Sequence, residues 1–184
     1  MMRVSLTALA LLVPAAAAMA APLTGSLPWS GRQASRSQAE LKSAMIAGHN
    51  RARAQYGAAP LAWNDALARD AAAYAAVLAR SGRFQHDPQY GRQPRQGENL
   101  FTGTRGAYRY TEMVGLWVDE RREFRPGIFP EVSVTRNWSR VGHYTQIIWP
   151  ATRLVGCATS SDRRSDYLVC RYWPAGNVVG TRLR

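Results

Sequence analysis

The sequence predicts an α+β domain, helices layered on a small antiparallel sheet, on three observations. Apolar residues recur at three-to-four spacing in three stretches between Leu41 and Phe124. Runs rich in β-branched and aromatic residues, parted by a polar turn, occupy the C-terminal part. Long aperiodic stretches connect these elements. Helices first and strands later argue an α+β or layered α/β/α arrangement. A chain of 184 residues is long enough to bury one sizeable core.

The elements follow in order. Met1-Met2-Arg3 is a short basic start, Leu6 to Ala18 is apolar or small without a charge, and Ala18-Met19-Ala20 is a small-x-small cleavage pattern. Residues 1–20 therefore read as a secretory signal peptide, and the apolar run is too short to span a membrane comfortably. The mature chain is expected to be secreted, to the periplasm or the extracellular medium. Residues 21–37, rich in Pro, Gly, Ser and Arg, read as a leader with little to bury, which leaves 38–184 as a single domain. Ser37 to Tyr56 reads as a helix, with Leu41, Ala44, Met45, Gly48 and Ala52 on one stripe and Gly57 as its stop. Leu61 to Ser81 reads as a second, capped by Asn64 or Asp65 and ended by Gly82. Phe84 to Asn99 has no period and is expected to be a loop. Tyr108 to Phe124 reads as a third helix, and 125–140 as irregular. Tyr144 to Trp149, Val155 to Thr159 and Tyr167 to Tyr172 read as strands, with a turn over Ser160 to Ser165.

The formal charge is +12, carried almost wholly by arginine, since Lys42 is the only lysine. Such a surface favours anionic partners, including an anionic envelope surface. The arginines are scattered, with no basic helix and no basic-aromatic stacking pattern, so nucleic-acid binding is not expected. Oligomeric state is left open. Cys157 and Cys170 are the only cysteines. An even count in an exported chain favours a disulfide, with two buried free thiols as the alternative. No GxSxG nucleophile pattern is present.

Histidine is scarce: His49, His86 and His143 are all there are. A neutral imidazole is the commonest protein metal ligand and a natural proton carrier near neutral pH. His143 lies in Gly142-His143-Tyr144-Thr145-Gln146-Ile147-Ile148-Trp149. That segment, with Thr152 beyond it, resembles the GHYTQ motif of the CAP superfamily, the SCP domain of cysteine-rich secretory, antigen-five and pathogenesis-related-one proteins. His49-Asn50-Arg51-Ala52-Arg53 resembles the family's HNxxR, and Gly97-Glu98-Asn99-Leu100 its GENL. Tyr167 to Val178 resembles its C-terminal motif. Four motifs in the family's order, spanning Leu41 to Gly180, identify the chain as a secreted, bacterial-type member.

The resemblance implies a three-layer α-β-α sandwich and a cavity lined by two histidines and two acids. These fall on His86, Glu98, Glu120 and His143. It also implies that Cys157 pairs with Cys170. Two imidazoles suit zinc or another divalent metal and leave positions open. Glu98 and Glu120 are the candidate catalytic acids; they would bind the metal, hold its water, or fix the imidazole tautomers from behind. His49 is expected to hydrogen-bond across layers. Asn50, Asn99 and Gln146 are expected to pair with buried backbone, and Tyr144 to line the core or cavity. The favoured function is a binding module for a lipid, glycan or peptide; the alternatives are a metal-dependent hydrolase using the same four residues, and a non-catalytic structural domain.

Overall fold

The computed structural model describes residues 37–91 and 93–184. The signal peptide and all but the last residue of the leader lie outside the described residues. Helix α1, Gln38–Tyr56, begins where its first turn can be satisfied: Ser37 Oγ accepts the Glu40 N–H at 3.2 Å while the Glu40 carboxylate accepts the Ser37 N–H. It ends at Gly57, whose φ of 86° suits a residue without Cβ. Helix α2, Asp65–Ser81, is capped by Asn64 Oδ1 on the Leu67 N–H at 2.9 Å. The remaining helices are α3, Tyr110–Asp119, and α4, Gly142–Ile148, with 3-10 turns at Glu120–Arg122 and Trp138–Arg140.

Strands β1 (Ala62–Trp63), β2 (Gly97–Thr104), β4 (Leu154–Ser161) and β5 (Ser165–Trp173) form one sheet in the order β1-β4-β5-β2. All neighbours are antiparallel except β1 and β4, which run parallel. Strands β3 (Gly127–Ile128) and β6 (Arg182–Leu183) make a second, two-stranded sheet. That sheet closes over a small core of Phe129, Val132, Val141, Trp149 and Leu183.

The main sheet is covered on both faces, which makes the three layers. Leu168, Cys170 and Tyr172 of β5 join the core with Leu41 and Met45 of α1, Met113 and Trp117 of α3, and Ile147 of α4. Their neighbours Tyr167 and Val169 point the other way, to Ala71, Ala75 and Leu78 of α2. Helix α2 lies so close that a Cβ on Gly156 of β4 would sit 2.3 Å from the Ala68 nitrogen and 2.5 Å from the Asn64 oxygen. Cys157 and Cys170 face each other across the β4–β5 ladder, fully buried and joined as a disulfide with Cα atoms 4.1 Å apart. The free-thiol alternative therefore falls. Closing 13 residues of chain contributes about 3 kcal/mol through the unfolded state. Among the described residues no helix is long and apolar enough to cross a membrane.

Four elements differ from the sequence reading. Tyr144 to Trp149 is not a strand but most of α4. Its residues from Tyr144 to Ile148 are all buried, so no alternation or helical stripe was there to be read. The predicted loop to Asn99 ends earlier, because Gly97 to Thr104 pairs with β5 from Tyr172 back to Ser165. The third helix stops at Asp119 and continues only as a 3-10 turn. The second helix starts at Asp65, since Ala62 and Trp63 are taken by the sheet.

Candidate functional site

The end of α3 and the start of α4 are joined by one carboxylate. Helix α4 has no side-chain cap of its own at Val141. Glu120, in the turn after α3, supplies one: its Oε2 accepts the backbone N–H groups of His143 and Tyr144 at 3.0 and 3.1 Å. Its Oε1 accepts the His143 Nδ1–H at 2.5 Å. The same imidazole stacks on Trp117 of α3, ring centroids 5.6 Å apart and planes 18° apart. Trp117 is itself fixed by donating Nε1–H to the Leu100 carbonyl. The His143 side chain keeps 31 % of its surface exposed, so the ring is held from behind and open in front.

A second dyad forms at β2, the edge strand of the main sheet. His86, in the loop after α2, donates Nδ1–H to Glu98 Oε1 at 2.6 Å, and the Asp87 N–H reaches the same oxygen at 3.1 Å. Glu98 stands opposite Arg171 in the β2–β5 register, and Arg171 Nη1 lies 3.1 Å from Glu98 Oε2. Arg171 Nη2 pairs with Asp87 Oδ2 at 2.5 Å, and the guanidinium rests over the Tyr74 ring. Glu98 is 5 % exposed and Arg171 2 %, whereas the His86 side chain is 68 % exposed. The hydrogen bond to Glu98 raises the His86 pKa above its ordinary 6.5, against the opposing pull of desolvation.

The four residues thus stand as two His–Glu dyads. Among the described residues no group of three or more His, Cys, Asp or Glu side chains converges on a metal-sized point. The donor chemistry still suits a metal held by imidazoles alone. In each dyad Nδ1 is spent on a carboxylate, which leaves Nε2 as the lone-pair nitrogen, and neither Nε2 has a partner among the described residues. A carboxylate behind a histidine is the usual support for a metal-ligating ring. What the two rings would offer a metal is their Nε2 lone pairs, with the carboxylates behind them.

The other motif residues lie within the layers. His49 is fully buried and bridges α1 to β5: Nδ1–H donates to the Met45 carbonyl and Nε2 accepts the Tyr172 hydroxyl, both at 2.7 Å. Asn50 pairs with both backbone groups of Leu61. Asn99 donates to the His143 carbonyl at 3.1 Å, tying β2 to α4. Gln146 accepts the Gly176 N–H and donates to Thr152. Tyr144 is buried against Phe124. Three charged residues of the site region went unweighted in the sequence: Asp87, Arg171 and Arg53. Arg171 carried a signal, being a charge inside an otherwise apolar strand run that must find a buried partner.

Comparison with known proteins agrees with this architecture. Residues 46–172, well over half the chain, match the cysteine-rich secretory protein family, CAP. The chain is 34 % identical over 136 residues to pathogenesis-related protein PRMS of Zea mays, covering 72 % of this chain and 76 % of that protein. It is 36 % identical over 132 residues to venom allergen 5 of Polybia paulista, covering 67 % of this chain and 60 % of that one. Among solved structures, that of NaASP2 with Zn2+ superposes with a TM-score of 0.62 at 23 % identity, covering 83 % of this chain and 87 % of that one. Venom allergen-like protein 4 of Schistosoma mansoni gives a TM-score of 0.56 at 17 % identity, covering 79 % and 97 %. At such identities the structural likeness speaks for the fold. With the four motifs placed on a sheet sandwiched between helices, and with these matches, the chain belongs to the CAP, or cysteine-rich secretory protein, family.

Proposed function

We propose that this chain is a secreted binding module that takes an acyl-type lipid along its helical face and holds a divalent metal at the His86 and His143 dyads. The observation that carries binding over turnover is the commitment of both carboxylates. Glu120 accepts three hydrogen bonds. Glu98 accepts two and faces Arg171. A general base needs a lone pair within reach of the proton it removes. Here the carboxylates orient rings and cap a helix, a holding role rather than proton abstraction. His86 and His143 would supply Nε2 to the metal, and a metal so held offers open positions to a polar ligand group. The zinc in the NaASP2 structure belongs to that protein and lends the reading weight without carrying it.

The lipid reading rests on a groove of about 260 Å³ between α1 and α3. Ala44, Ala47, Gly48, Val114, Gly115 and Val118 make its walls apolar, and Arg51 and Arg121 stand at its rim. Val114 fills the space over Gly48, but Gly115 is open and leaves room for a hydrocarbon chain, and arginine suits an anionic end group.

Each half has its own test. Zinc titration by calorimetry is expected to give a site in the wild type that is lost in His86→Ala/His143→Ala; equal affinity in both would overturn the metal assignment. A Cβ on Gly115 meets nothing within 4 Å, so Gly115→Phe is expected to fill the groove without disturbing the fold. Displacement of a fluorescent fatty acid should then weaken by at least about tenfold. Unchanged affinity in a variant that melts like the wild type would remove the groove from the function.

A further inference from the structure

The two dyads are not equivalent. Glu120 is held by backbone N–H groups, which carry no net charge. Glu98 is held by a buried cation. Arg171 sits directly across the β2–β5 ladder from it, 2 % exposed, and its guanidinium is shared between two carboxylates, Asp87 and Glu98. The contact to Glu98 is a matter of charge rather than hydrogen-bond alignment: Arg171 Nη1 and Glu98 Oε2 are 3.1 Å apart, yet neither has a hydrogen-bond partner, nor does Arg171 Nε. Two carboxylates and one guanidinium in a site with little water form a self-contained unit, and breaking one contact leaves a buried charge exposed to the others.

The consequence for a cation follows from where each atom points. Nδ1 and Nε2 lie on opposite sides of an imidazole ring. A metal at His86 Nε2 is therefore turned away from Glu98, whose Oε1 lies against Nδ1. To become a third ligand Glu98 would have to release His86, the Asp87 N–H and Arg171 together. Arg171 also places a positive charge behind the dyad, which offsets the negative charge that would otherwise strengthen His86 as a donor and attract a dication.

We infer that Arg171 is a positioning residue that keeps Glu98 out of the metal's coordination sphere, which holds the affinity for divalent cations low and leaves the ion exchangeable. This rests on the reading above that His86 and His143 hold a metal. It concerns the His86 dyad alone, since Glu120 stands behind His143 without an arginine. Asp87 shares the work: by taking part of the guanidinium's charge it decides how much of it falls on Glu98.

The test compares the wild type with three variants by zinc calorimetry and by the visible absorption of bound Co2+. Measurements at about pH 8.5 keep proton competition for the imidazoles out of the comparison. Arg171→Gln/Asp87→Asn removes one charge of each sign, so the net charge of the unit is unchanged and Glu98 keeps only His86 and the residue 87 N–H as partners. It is expected to bind zinc roughly tenfold tighter, as for other partners behind metal ligands. Its Co2+ spectrum should change as Glu98 displaces coordinated water. Arg171→Lys keeps the charge and should return affinity and spectrum to wild type. Asp87→Asn alone throws the guanidinium onto Glu98 and should weaken zinc binding, and it tests the idea even if the double variant does not fold. Unchanged zinc affinity in Asp87→Asn and in a folded double variant overturns the inference, as does tighter zinc with an unchanged Co2+ spectrum. If neither wild type nor the double variant binds zinc, the metal reading itself falls; if both bind equally, only the role of Arg171 does.

Discussion

Replacing Arg53 by methionine is expected to destabilise the domain by about 4 kcal/mol. Arg53 lies in the last turn of α1 and is fully buried. Its donors reach four carbonyls on three separate segments. Nε donates to Ala59 at 2.5 Å, Nη1 to Ile147 and Trp149 at 2.8 and 2.9 Å, and Nη2 to Thr152 at 3.1 Å. Ile147 and Trp149 stand at the C-terminal end of α4, where helical carbonyls lack partners within the helix. Burial lowers the Arg53 pKa to about 10, which still leaves it protonated at neutral pH. Methionine would fill much the same volume, so the loss isolates hydrogen bonding from packing. Trp149 and Thr152 would keep other donors, the Thr152 N–H and Arg153 respectively. The Ile147 carbonyl would be buried with none, at about 1–3 kcal/mol, the carbonyl of the exposed Ala59 would turn to water, and the charge-assisted bonds to Trp149 and Thr152 would go as well. Unlike a buried ion pair, this arrangement leaves no opposite charge whose removal offsets the loss. Urea unfolding should show the shift in midpoint at constant slope, with a fall in Tm of about 10 °C. Arg53→Lys should recover only part of it, because one ammonium cannot span four oxygens. A loss below about 1 kcal/mol for the methionine variant would mean that the carbonyls find other partners.

Arg53 also shows what kind of information the sequence held. Helix α1 and the end of α2 were legible almost to the residue, because glycines stand just past their last turns; the start of α2 was read four residues early, where Ala62 and Trp63 belong to the sheet. Strands β4 and β5 were legible as branched and aromatic runs. Strand β2 was not, because Gly97, Glu98 and Asn99 look like loop residues until β5 supplies the ladder. Helix α4 was misread because every residue from Tyr144 to Ile148 is buried and no period distinguishes its faces. The site divides the same way. Resemblance to the family's motifs picked out His86, Glu98, Glu120 and His143 one at a time. Their pairing depends on where α3 stops and on the register that sets Glu98 against Arg171, and neither is written locally. The expectation of one four-residue cavity treated as a set what the fold treats as two pairs.

Acid should weaken this protein well before its carboxylates titrate, and His49 is the cause. The ring is fully buried, and desolvation, only partly offset by the Met45 carbonyl, lowers its pKa from 6.5 to about 4. The Met45 carbonyl can only accept, so Nδ1 carries the proton; Nε2 is then the acceptor for the Tyr172 hydroxyl. Protonating Nε2 would turn that acceptor into a donor, force the Tyr172 hydroxyl to reverse its role and bury a charge in an apolar core. Between pH 6.5 and 4 the unfolded chain takes up a proton that the folded chain refuses. Stability is therefore complete above 6.5 and falls as pH drops through that window, levelling near 4. A shift from 6.5 to about 4 corresponds to about 3 kcal/mol. His86 works in the opposite sense: its raised pKa adds stability below 6.5 that is lost as pH rises through its folded value. Being largely exposed, it offsets His49 only in part. The measurement is urea stability at intervals from pH 7 to pH 4.5, for wild type and His49→Gln. Glutamine can donate to Met45 and accept from Tyr172 but has no proton to gain. The variant is expected to lose some stability at pH 7 through imperfect packing, yet its profile should be flatter than the wild type's by up to about 1.4 kcal/mol per pH unit. Parallel profiles would mean that His49 is protonated in the folded state, and that the bond between helix and sheet which it makes is not the neutral one described.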